Sequence, residues 1–560
     1  MKKRISLSLS LAFGLLACGE QVTNENINPV KPKAVAESPV KADSIFTEET
    51  AKQNLTFIKN QYLKMLHQID SESGVDYAKG CLSDDLVCYP RALEHDKIYM
   101  EKPEKWTNGF FPGVLWKLLA AKSDIQNFTP DEQQTLLKQA KFYQAALIPE
   151  AKRGSTHDLG FILYDSFGEA IDAKVLSEQE LSLYQQTLDE GRRTLVTRFD
   201  QEKGVIKSWD FLAKFPAHYI KDNKIKKTYF NTQGTWQYPV IVDNMMNLEF
   251  LFTSDNKNQQ NIAYQHAKQT YLNHYFYQDN DVNKDYPIAY HVYDYASDKP
   301  GNWQGLGNVS AWARGQGWSL YGFVTVLEFF KQQAPELTDL PDFEQHVEKL
   351  VRSVERLMAT QNAYVPDWDF FAAADNAQQL AENQSKNTLV YHRVLDLCDF
   401  EIADNILPYK GYRPIQFSAD LLAESDLNKL SQLTSVYHEP FVQGEMIAPC
   451  GTQAYQDLGT HIPKDSSAAA LMAAALYRLA QITESASKKT HYIEFADKIM
   501  NELSNQYLTS KTQNKSYQQG FVLTHATGNL PNGSEIDTAI VYADFYFLEA
   551  NMRKLALAGE

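Results

Sequence analysis

Two acidic side chains stand where a loop enters a helix, and both could take part in proton transfer. Asp158 follows Thr156 and His157, and the run after it carries apolar residues at helical spacing as far as Ala173. Asp243 ends a short apolar run and precedes a second helical pattern. Two carboxylates presented from separate helix starts can meet in one cleft, where each shifts the proton affinity of the other. Alternatively, Thr156 or Asp158 serves only as a helix N-cap.

Helical periodicity dominates the chain around these motifs. The apolar spacing predicts an amphipathic helix from about Glu49, where the folded part begins. Further helices are predicted at 131–147, 179–197, 262–273, 317–332, 343–360, 465–483, 491–506 and 542–557. Alternating strand patterns are few, and no exact repeat of solenoid period occurs. The pattern therefore favours an all-α domain of repeated helical hairpins over an open repeat array.

The composition is that of a soluble globular protein with many aromatic residues. The chain has 560 residues, of which 44% are hydrophobic and 22% charged, enough for two to four average domains or one large one. Its 31 Tyr, 29 Phe and 8 Trp could line a sugar-binding cleft or fill a core. The formal net charge of −16 argues against nucleic acid and against a polybasic membrane surface. An anionic substrate remains compatible with it, since a few local basic side chains can hold one.

The N-terminal segment is typical of an exported lipoprotein. Residues 1–17 combine a basic start with an apolar run that is too short to span a membrane, as in a signal peptide. The residues up to Gly19 resemble a bacterial lipobox, which implies cleavage before Cys18 and lipidation of that thiol, with palmitate among the acyl chains. Gly19 favours the outer membrane of a Gram-negative cell envelope, whereas the alternative is an ordinary signal peptide. Residues 18–48 read as a flexible tether.

Neither the cysteines nor an acidic loop predicts a metal site. In an oxidising envelope, the four cysteines that follow Cys18 suggest two local disulfides. The pairs are Cys81 with Cys88 and Cys398 with Cys450. They lack the CxxC spacing of zinc sites. Residues 279–285 alternate oxygen ligands as in a calcium loop, but Lys284 stands where an EF-hand has glycine, so we interpret the run as a solvated hairpin tip.

Six motifs resemble, in order along the chain, those of glycoside hydrolase family 88, the unsaturated glucuronyl hydrolases. They lie at residues 106–113, 156–161, 243–248, 310–318, 465–468 and 536–544. The resemblance implies an (α/α)6 barrel over residues 49–560, with an active cleft built from loops at one end. It implies a glycosidase that works without a cofactor or a metal.

The resemblance also implies a particular hydrolysis. Polysaccharide lyases leave a C4=C5 double bond in the uronate at the non-reducing end of their products, so lyases are the expected metabolic partners and an anionic unsaturated oligosaccharide is the expected substrate. The family protonates this enol ether at C4 and adds water at C5, and the resulting hemiketal opens. Water does not attack the anomeric carbon, so the carboxylate-distance rule of ordinary glycosidases does not apply. The alternatives are an unsaturated rhamnogalacturonyl hydrolase with the same chemistry and a non-catalytic glycan-binding lipoprotein.

By the same resemblance, Asp243 is expected to be the general acid and base, and Asp158 the second essential acid. The residues expected to contact the substrate are His157, Arg314, Trp318, His291, Gln304, Trp106, Asn108, Ser466 and Ser467. Arg314 and Trp318 lie four residues apart on one helix face, where they could bind a carboxylate or sulfate and pack on a sugar ring. A structural ion pair above a core Trp is the alternative for these two. Helix capping explains the two serines equally well, and His157 could be a satisfied loop histidine.

One segment departs from the family pattern. Residues 371–464 separate Asp367 and Asp369 from the helix start at Asp465. A connection of this length is expected to be at least partly ordered. It could extend the cleft for longer or sulfated chains, or it could pack on the flank of the barrel. The identity of the parent polysaccharide stays open for this reason.

Overall fold

The protein is described by a computed structural model that covers residues 45–559, with gaps. The gaps are 82–85, 95, 211–235, 279–280, 302, 306–309, 334–340, 372–462, 515–516 and 530–534, and within them only the backbone of 220–221, 224–225, 390–392 and 415–417 is described. The predicted signal peptide, Cys18, the tether up to residue 44 and the Cys398–Cys450 pair lie outside the described residues. Across the described part, no helix has both the length and the apolar character needed to span a membrane.

Helices account for most of the described chain, as the apolar spacing predicted. The α-helices are α1 Glu48–Asp70, α2 Phe110–Ala120, α3 Pro130–Leu147, α4 Glu169–Asp172, α5 Glu178–Val196, α6 Asn247–Phe252, α7 Lys257–Asn273, α8 Ala313–Gln333, α9 Phe343–Gln361, α10 Ser466–Ile482, α11 Ala486–Glu502 and α12 Val541–Gly559. Shorter 3-10 helices span Trp106–Gly109, Ile148–Lys152 and Val242–Met246, and π-helices span Gly160–Gly168 and Leu503–Tyr507. Every predicted helix is present, with ends that differ by a few residues.

Six of these helices close into an inner ring. The ring runs in the order α2, the π-helix Gly160–Gly168, α6, α8, α10 and α12. Each of these helices packs against the next, and α12 packs back onto α2. Each inner helix also packs against one outer helix, and these partners are α3, α5, α7, α9, α11 and α1 in the same order. This closed double ring is an (α/α)6 barrel, which confirms the predicted fold.

Burial explains why the two rings take different sequences. In α10 every residue from Ser466 to Ala480 is buried, and its Ala-rich composition lets α8, α11 and α12 approach closely. The outer helix α9 instead buries one face, with Val347, Leu350 and Val354 at helical spacing. A helix that is apolar all round belongs inside, whereas an amphipathic one faces water on its far side.

Short strands build the loops at the ends of the barrel. They are β1 Val75–Tyr77, β2 Tyr89–Glu94, β3 Lys97–Glu101, β4 Phe199–Asp200, β5 Val205–Ile206, β6 Ile220–Lys221, β7 Lys224–Ile225, β8 Pro239–Ile241, β9 Tyr275–Phe276, β10 Ile288–Ala289, β11 Val292–Asp294, β12 Lys299–Gly301, β13 Val390–His392 and β14 Ile415–Phe417. In the sheet β12-β11-β8, antiparallel pairing sets Val292 opposite Ile241. This register brings the residues just before β11 beside those just after β8.

Two predictions about loops can be compared with the structure. Cys81 and Cys88 form a disulfide, with their Cα atoms 5.8 Å apart, as predicted. The acidic run lies at a hairpin tip, since β9 pairs with β10, but Asp281 is buried there and not solvated. Its carboxylate accepts hydrogen bonds from the backbone N–H groups of Asp285 and Tyr286 at 2.9 and 2.8 Å, so it stabilises the turn. Among the described residues, no cluster of His, Cys, Asp and Glu is arranged to hold a metal ion.

Candidate active site

Asp158 lies in the loop that leads into the π-helix, with its side chain 20% exposed. Its Oδ2 accepts a hydrogen bond from Thr156 Oγ1 at 2.5 Å, and its Oδ1 lies 3.2 Å from Nε2 of the buried His157. Burial acts to raise the pKa of the Asp158 carboxyl, but the attraction of His157 and the hydrogen bonds from His157 and Thr156 outweigh burial and lower it. Asp158 is therefore an anion at neutral pH. The N-cap alternative fails, because the π-helix begins after Leu159 without a side-chain cap.

Asp243 lies in the 3-10 helix Val242–Met246, directly after β8, and its side chain is 9% exposed. Its Oδ2 is buried and accepts no hydrogen bond from the described part of the protein. The pKa of Asp243 is raised to about 7. Burial is the main cause and the negative charge of Asp158 adds to it, whereas Arg314 and His157 act to lower the pKa. At neutral pH this carboxyl can thus both give and take a proton, which is what a general acid and base requires.

His291 faces Asp243 from the residue before β11. Its Nε2 lies 3.6 Å from Asp243 Oδ2, and its Nδ1 accepts hydrogen bonds from the backbone N–H groups of Trp303 and Gln304 at 3.3 and 3.1 Å. An Nδ1 that accepts two hydrogen bonds leaves the ring proton on Nε2, directed at Asp243. Burial, with the nearby positive charge of Arg314, holds the pKa of His291 well below its usual range, so the ring is neutral.

A chain of buried amides ties the two acidic segments together. Asn247 Oδ1 accepts from Gly160 N at 2.8 Å, Asn247 Nδ2 donates to Asn244 Oδ1 at 2.8 Å, and Asn244 Nδ2 donates to the carbonyl of Ile206 at 2.7 Å. Position 160 requires glycine for this approach, since a Cβ there would lie 2.4 Å from Asn247 Oδ1. These hydrogen bonds link the start of the π-helix that follows Asp158 to the helix that follows Asp243.

Arg314 is engaged by the protein itself. Its Nη1 donates to Asp465 Oδ2 at 2.9 Å and to the carbonyl of Thr527 at 2.6 Å, while Nη2 donates to the carbonyl of Gly528 at 2.5 Å. The side chain is 1% exposed. This geometry matches the alternative, a structural ion pair, and a direct fork onto a substrate carboxylate stays a prediction. Arg314 still acts on the site through its charge, which lowers the pKa of Asp243.

Other residues expected at the cleft are buried in the structure, and their contact with the substrate stays a prediction. Trp318 lies one turn deeper along α8 and packs on Phe161, with ring centroids 5.2 Å apart, in the barrel core. Asn108 is also fully buried and donates to the carbonyl of Lys102. Asp465 caps α10, since its side chain accepts from the N–H groups of Ser467 and Ala468. The Ser466 hydroxyl donates to the carbonyl of Thr524 and the Ser467 hydroxyl donates to Asp465, so the serines anchor the loop and the cap residue and do not cap the helix themselves.

Two expected residues stay partly exposed at this end of the barrel. Trp106 is half-buried, with its ring 5.3 Å from that of Phe161 and 5.0 Å from that of Tyr542. Gln304 is half-buried as well, and its Nε2 donates to the carbonyl of Gly528 at 3.0 Å. Through Gly528, Gln304 and Arg314 hold the same loop.

Three tryptophans that belong to none of the predicted site residues form a cluster beside the acids. The Trp209 ring stacks on Trp236 at 6.0 Å and lies 5.7 Å from Trp303. Trp209 pairs through its backbone with Thr156, and Trp303 N donates to His291, so the cluster borders both acidic segments. Trp209 and Trp303 are partly exposed, which allows them to offer faces to a sugar. The only signal in the sequence was the abundance of aromatic residues, because these three are far apart along the chain.

The chain is similar to known proteins in sequence and in fold. The model of Glycosyl Hydrolase Family 88 matches residues 184–365, which include Asp243 and His291. The chain is 28% identical to an unsaturated glucuronyl hydrolase of Formosa agariphila over 479 residues, 83% of this chain and 84% of that protein. It is 27% identical over 319 residues to an unsaturated chondroitin disaccharide hydrolase of Streptococcus pyogenes serotype M1, 55% of this chain and 67% of that protein. A crystal structure of an unsaturated glucuronyl hydrolase specific for heparin superposes with a TM-score of 0.58 and 25% identity, covering 92% of this chain and 99% of that one.

Proposed function

Because the chain belongs to glycoside hydrolase family 88, we propose that it removes the 4,5-unsaturated uronic acid from the non-reducing end of oligosaccharides made by polysaccharide lyases. The observation that carries the proposal is the buried carboxyl of Asp243, which has a pKa of about 7, faces the neutral His291 and is close enough to Asp158 for the charge of that anion to raise its pKa. A glycan-binding protein would use the aromatic faces but has no need for a carboxyl that changes its charge near neutral pH.

In the proposed reaction Asp243 first donates its proton to C4 of the enol ether. The positive charge that develops at C5 and the ring oxygen is stabilised by the nearby anion of Asp158. A water molecule then forms a bond to C5 while its proton passes to the Asp243 carboxylate, which restores the acid. The C5 hemiketal opens, the anomeric carbon becomes a hemiacetal, and the remaining sugar leaves. His291 supports the carboxylate stage, because its Nε2–H faces Asp243 Oδ2.

The expected substrate class is inferred from the relatives. The similar proteins are named for unsaturated glucuronyl, chondroitin disaccharide and heparin substrates. We expect unsaturated disaccharides from glycosaminoglycans to be turned over before pectin-derived rhamnogalacturonyl ends. In the test, purified protein is offered a panel of lyase-generated oligosaccharides, and the ultraviolet absorbance of the C4=C5 bond is followed. Loss of absorbance with release of the second sugar supports the proposal, and a panel that stays unchanged at all pH values contradicts it.

The proposal includes a lipid anchor at Cys18, with the enzyme held in the cell envelope, at the outer membrane. It rests on the basic start, the short apolar run and the lipobox-like residues up to Gly19. Cells that express the full chain are fed a clickable palmitate analogue, and the label is compared with that of Cys18→Ala. Label on the parent chain and its absence from the variant support the anchor, whereas equal labelling contradicts it.

A further inference from the structure

Ser208 lies between the two segments that carry the candidate acids, and all of its polar groups are used. Its N–H donates to the carbonyl of Pro239 at 2.9 Å, and its carbonyl accepts from His157 N at 3.2 Å. Its Oγ accepts from Ile241 N at 2.9 Å and lies 3.3 Å from His157 Nδ1. The side chain is fully buried, so it cannot touch a substrate.

The bonding of the Ser208 hydroxyl decides where His157 carries its proton. Since the oxygen already accepts from Ile241 N–H, the hydroxyl hydrogen is free to be donated, and His157 Nδ1 lies within reach. An Nδ1 that accepts places the ring proton on Nε2, which lies 3.2 Å from Asp158 Oδ1. The other tautomer would set a nitrogen lone pair against the Asp158 oxygen, which is repulsive.

His291 shows the same arrangement on the other acid. Its Nδ1 is held by two backbone N–H groups, and its Nε2 faces Asp243. Each candidate acid therefore faces the Nε2 of a buried histidine whose Nδ1 has its own donor. For His157 that donor is a side chain, and a single substitution can remove it without changing the main chain.

We propose that Ser208 is a positioning residue of the reaction: its hydroxyl keeps His157 as the Nε2–H tautomer, with Nε2 3.2 Å from Asp158 Oδ1, and it holds β8, which leads to Asp243, against that pair. The inference rests on the proposed function for its kinetic consequences. The tautomer of His157 follows from the contacts alone and can be measured whether or not the protein turns over a substrate.

Removal of the hydroxyl should change turnover more than binding. In Ser208→Ala, His157 Nδ1 and Ile241 N both lose a partner, so the tautomer with its proton on Nε2, beside Asp158, is no longer favoured. The groups that still act on Asp158 are His157, Thr156 and Arg198. We expect kcat to fall by about 10-fold or more, as for the loss of a residue that orients a catalytic imidazole. The acidic limb of the pH–rate profile should move to higher pH, and KM should stay within about 3-fold, because Ser208 is not at the surface of the cleft.

The experiment compares the parent protein with Ser208→Ala, Ser208→Thr and Ser208→Cys. Ser504→Ala is the matched control, since Ser504 is also buried and accepts a single hydrogen bond from Asn54, but between α1 and the second π-helix. Thr keeps the hydroxyl and Cys keeps the volume with a weaker donor, so one of them remains informative if Ala does not fold. The kinetics use an unsaturated disaccharide at a series of pH values. In parallel, the tautomer of His157 is read from 15N spectra of histidine-labelled protein, with His157→Asn to assign the signal.

Each outcome decides the inference. An Nε2–H signal in the parent that is lost in Ser208→Ala, together with a lower kcat that Ser208→Thr partly restores, supports it. An Nδ1–H signal in the parent overturns it, as does a folded Ser208→Ala protein with the parent kcat and pH profile. If the parent protein does not act on the disaccharide panel, the proposed function fails, while the 15N spectra still confirm or refute the tautomer.

Discussion

His291 places its Nε2 3.6 Å from Oδ2 of Asp243 and holds its own Nδ1 against two backbone N–H groups. This pair joins the residue before β11 to the 3-10 helix after β8. The imidazole is neutral, so its N–H faces the carboxyl without adding a positive charge that would favour ionisation. Asp243 therefore keeps a raised pKa of about 7, and its protonated form can give a proton to the substrate at neutral pH.

Asp243→Asn should abolish turnover and leave the fold intact. The amide fits the same space but cannot deliver or accept the proton, and general acid–base help contributes roughly 10²–10⁴-fold in rate. The measurement is kcat on an unsaturated disaccharide, with thermal unfolding to check the fold. Near-normal activity in a folded variant would remove Asp243 from the proposed role.

The pH dependence of activity should report the same carboxyl. The reaction begins with protonated Asp243, whose pKa is about 7, so kcat/KM should decrease as the pH rises through that value. If kcat/KM does not decrease between about pH 6 and about pH 8, this assignment is contradicted.

Stability should depend on pH through Asp243 as well. The pKa of about 7 in the folded chain lies above the value of about 3.9 for an unfolded one, so the folded state binds more protons between these limits. The stabilising contribution is complete below about pH 4 and is lost as the pH rises through about 7. Asp243→Asn lacks this dependence. The difference in free energy of unfolding between the variant and the parent, measured in urea, should therefore shift in favour of the variant as the pH rises from about 5 to about 8. A difference that stays constant over this range would refute the prediction.

Arg314→Met should destabilise the fold. The substitution leaves Asp465 and the carbonyls of Thr527 and Gly528 without their buried cation, and breaking a buried pair costs about 3–5 kcal/mol. Arg193→Met is the control, because its pair with Glu190 is exposed to solvent and should contribute little to stability. Urea unfolding measures both. An unchanged free energy of unfolding with a strongly raised KM would instead restore Arg314 as a substrate contact.

Replacing residues 372–462 by a short Gly-Ser linker should preserve the barrel. The ends of the segment are already paired, since Asp367 and Lys464 form an antiparallel bridge and Lys464 Nζ lies 2.8 Å from Asp367 Oδ1. Partners in such a bridge lie about 5 Å apart, which a few residues can span. If the segment extends the cleft, kcat/KM on longer oligosaccharides should fall while the disaccharide is turned over as before. Unchanged turnover of both would favour the alternative, that it packs on the flank.

The sequence by itself determined the helices, the Cys81–Cys88 pairing and the positions of Asp158 and Asp243 at helix starts. Each of these depends on residues near one another in the chain. The outer helix α9 has an apolar face at helical spacing, and α10 begins at Asp465, whose side chain accepts from the first free N–H groups. Local periodicity and capping are visible without knowledge of the neighbours.

Only the tertiary structure decided which motif residues reach the cleft. Arg314 and Trp318 share a helix face, but closure of the inner ring buries that face, and the loop around Gly528 supplies partners that are distant in the sequence. The tryptophan cluster and the role of Ser208 also arise from segments that strand pairing and the barrel bring together. Burial and long-range hydrogen bonds depend on the packing of the whole ring, and a local pattern of residue types does not contain that information.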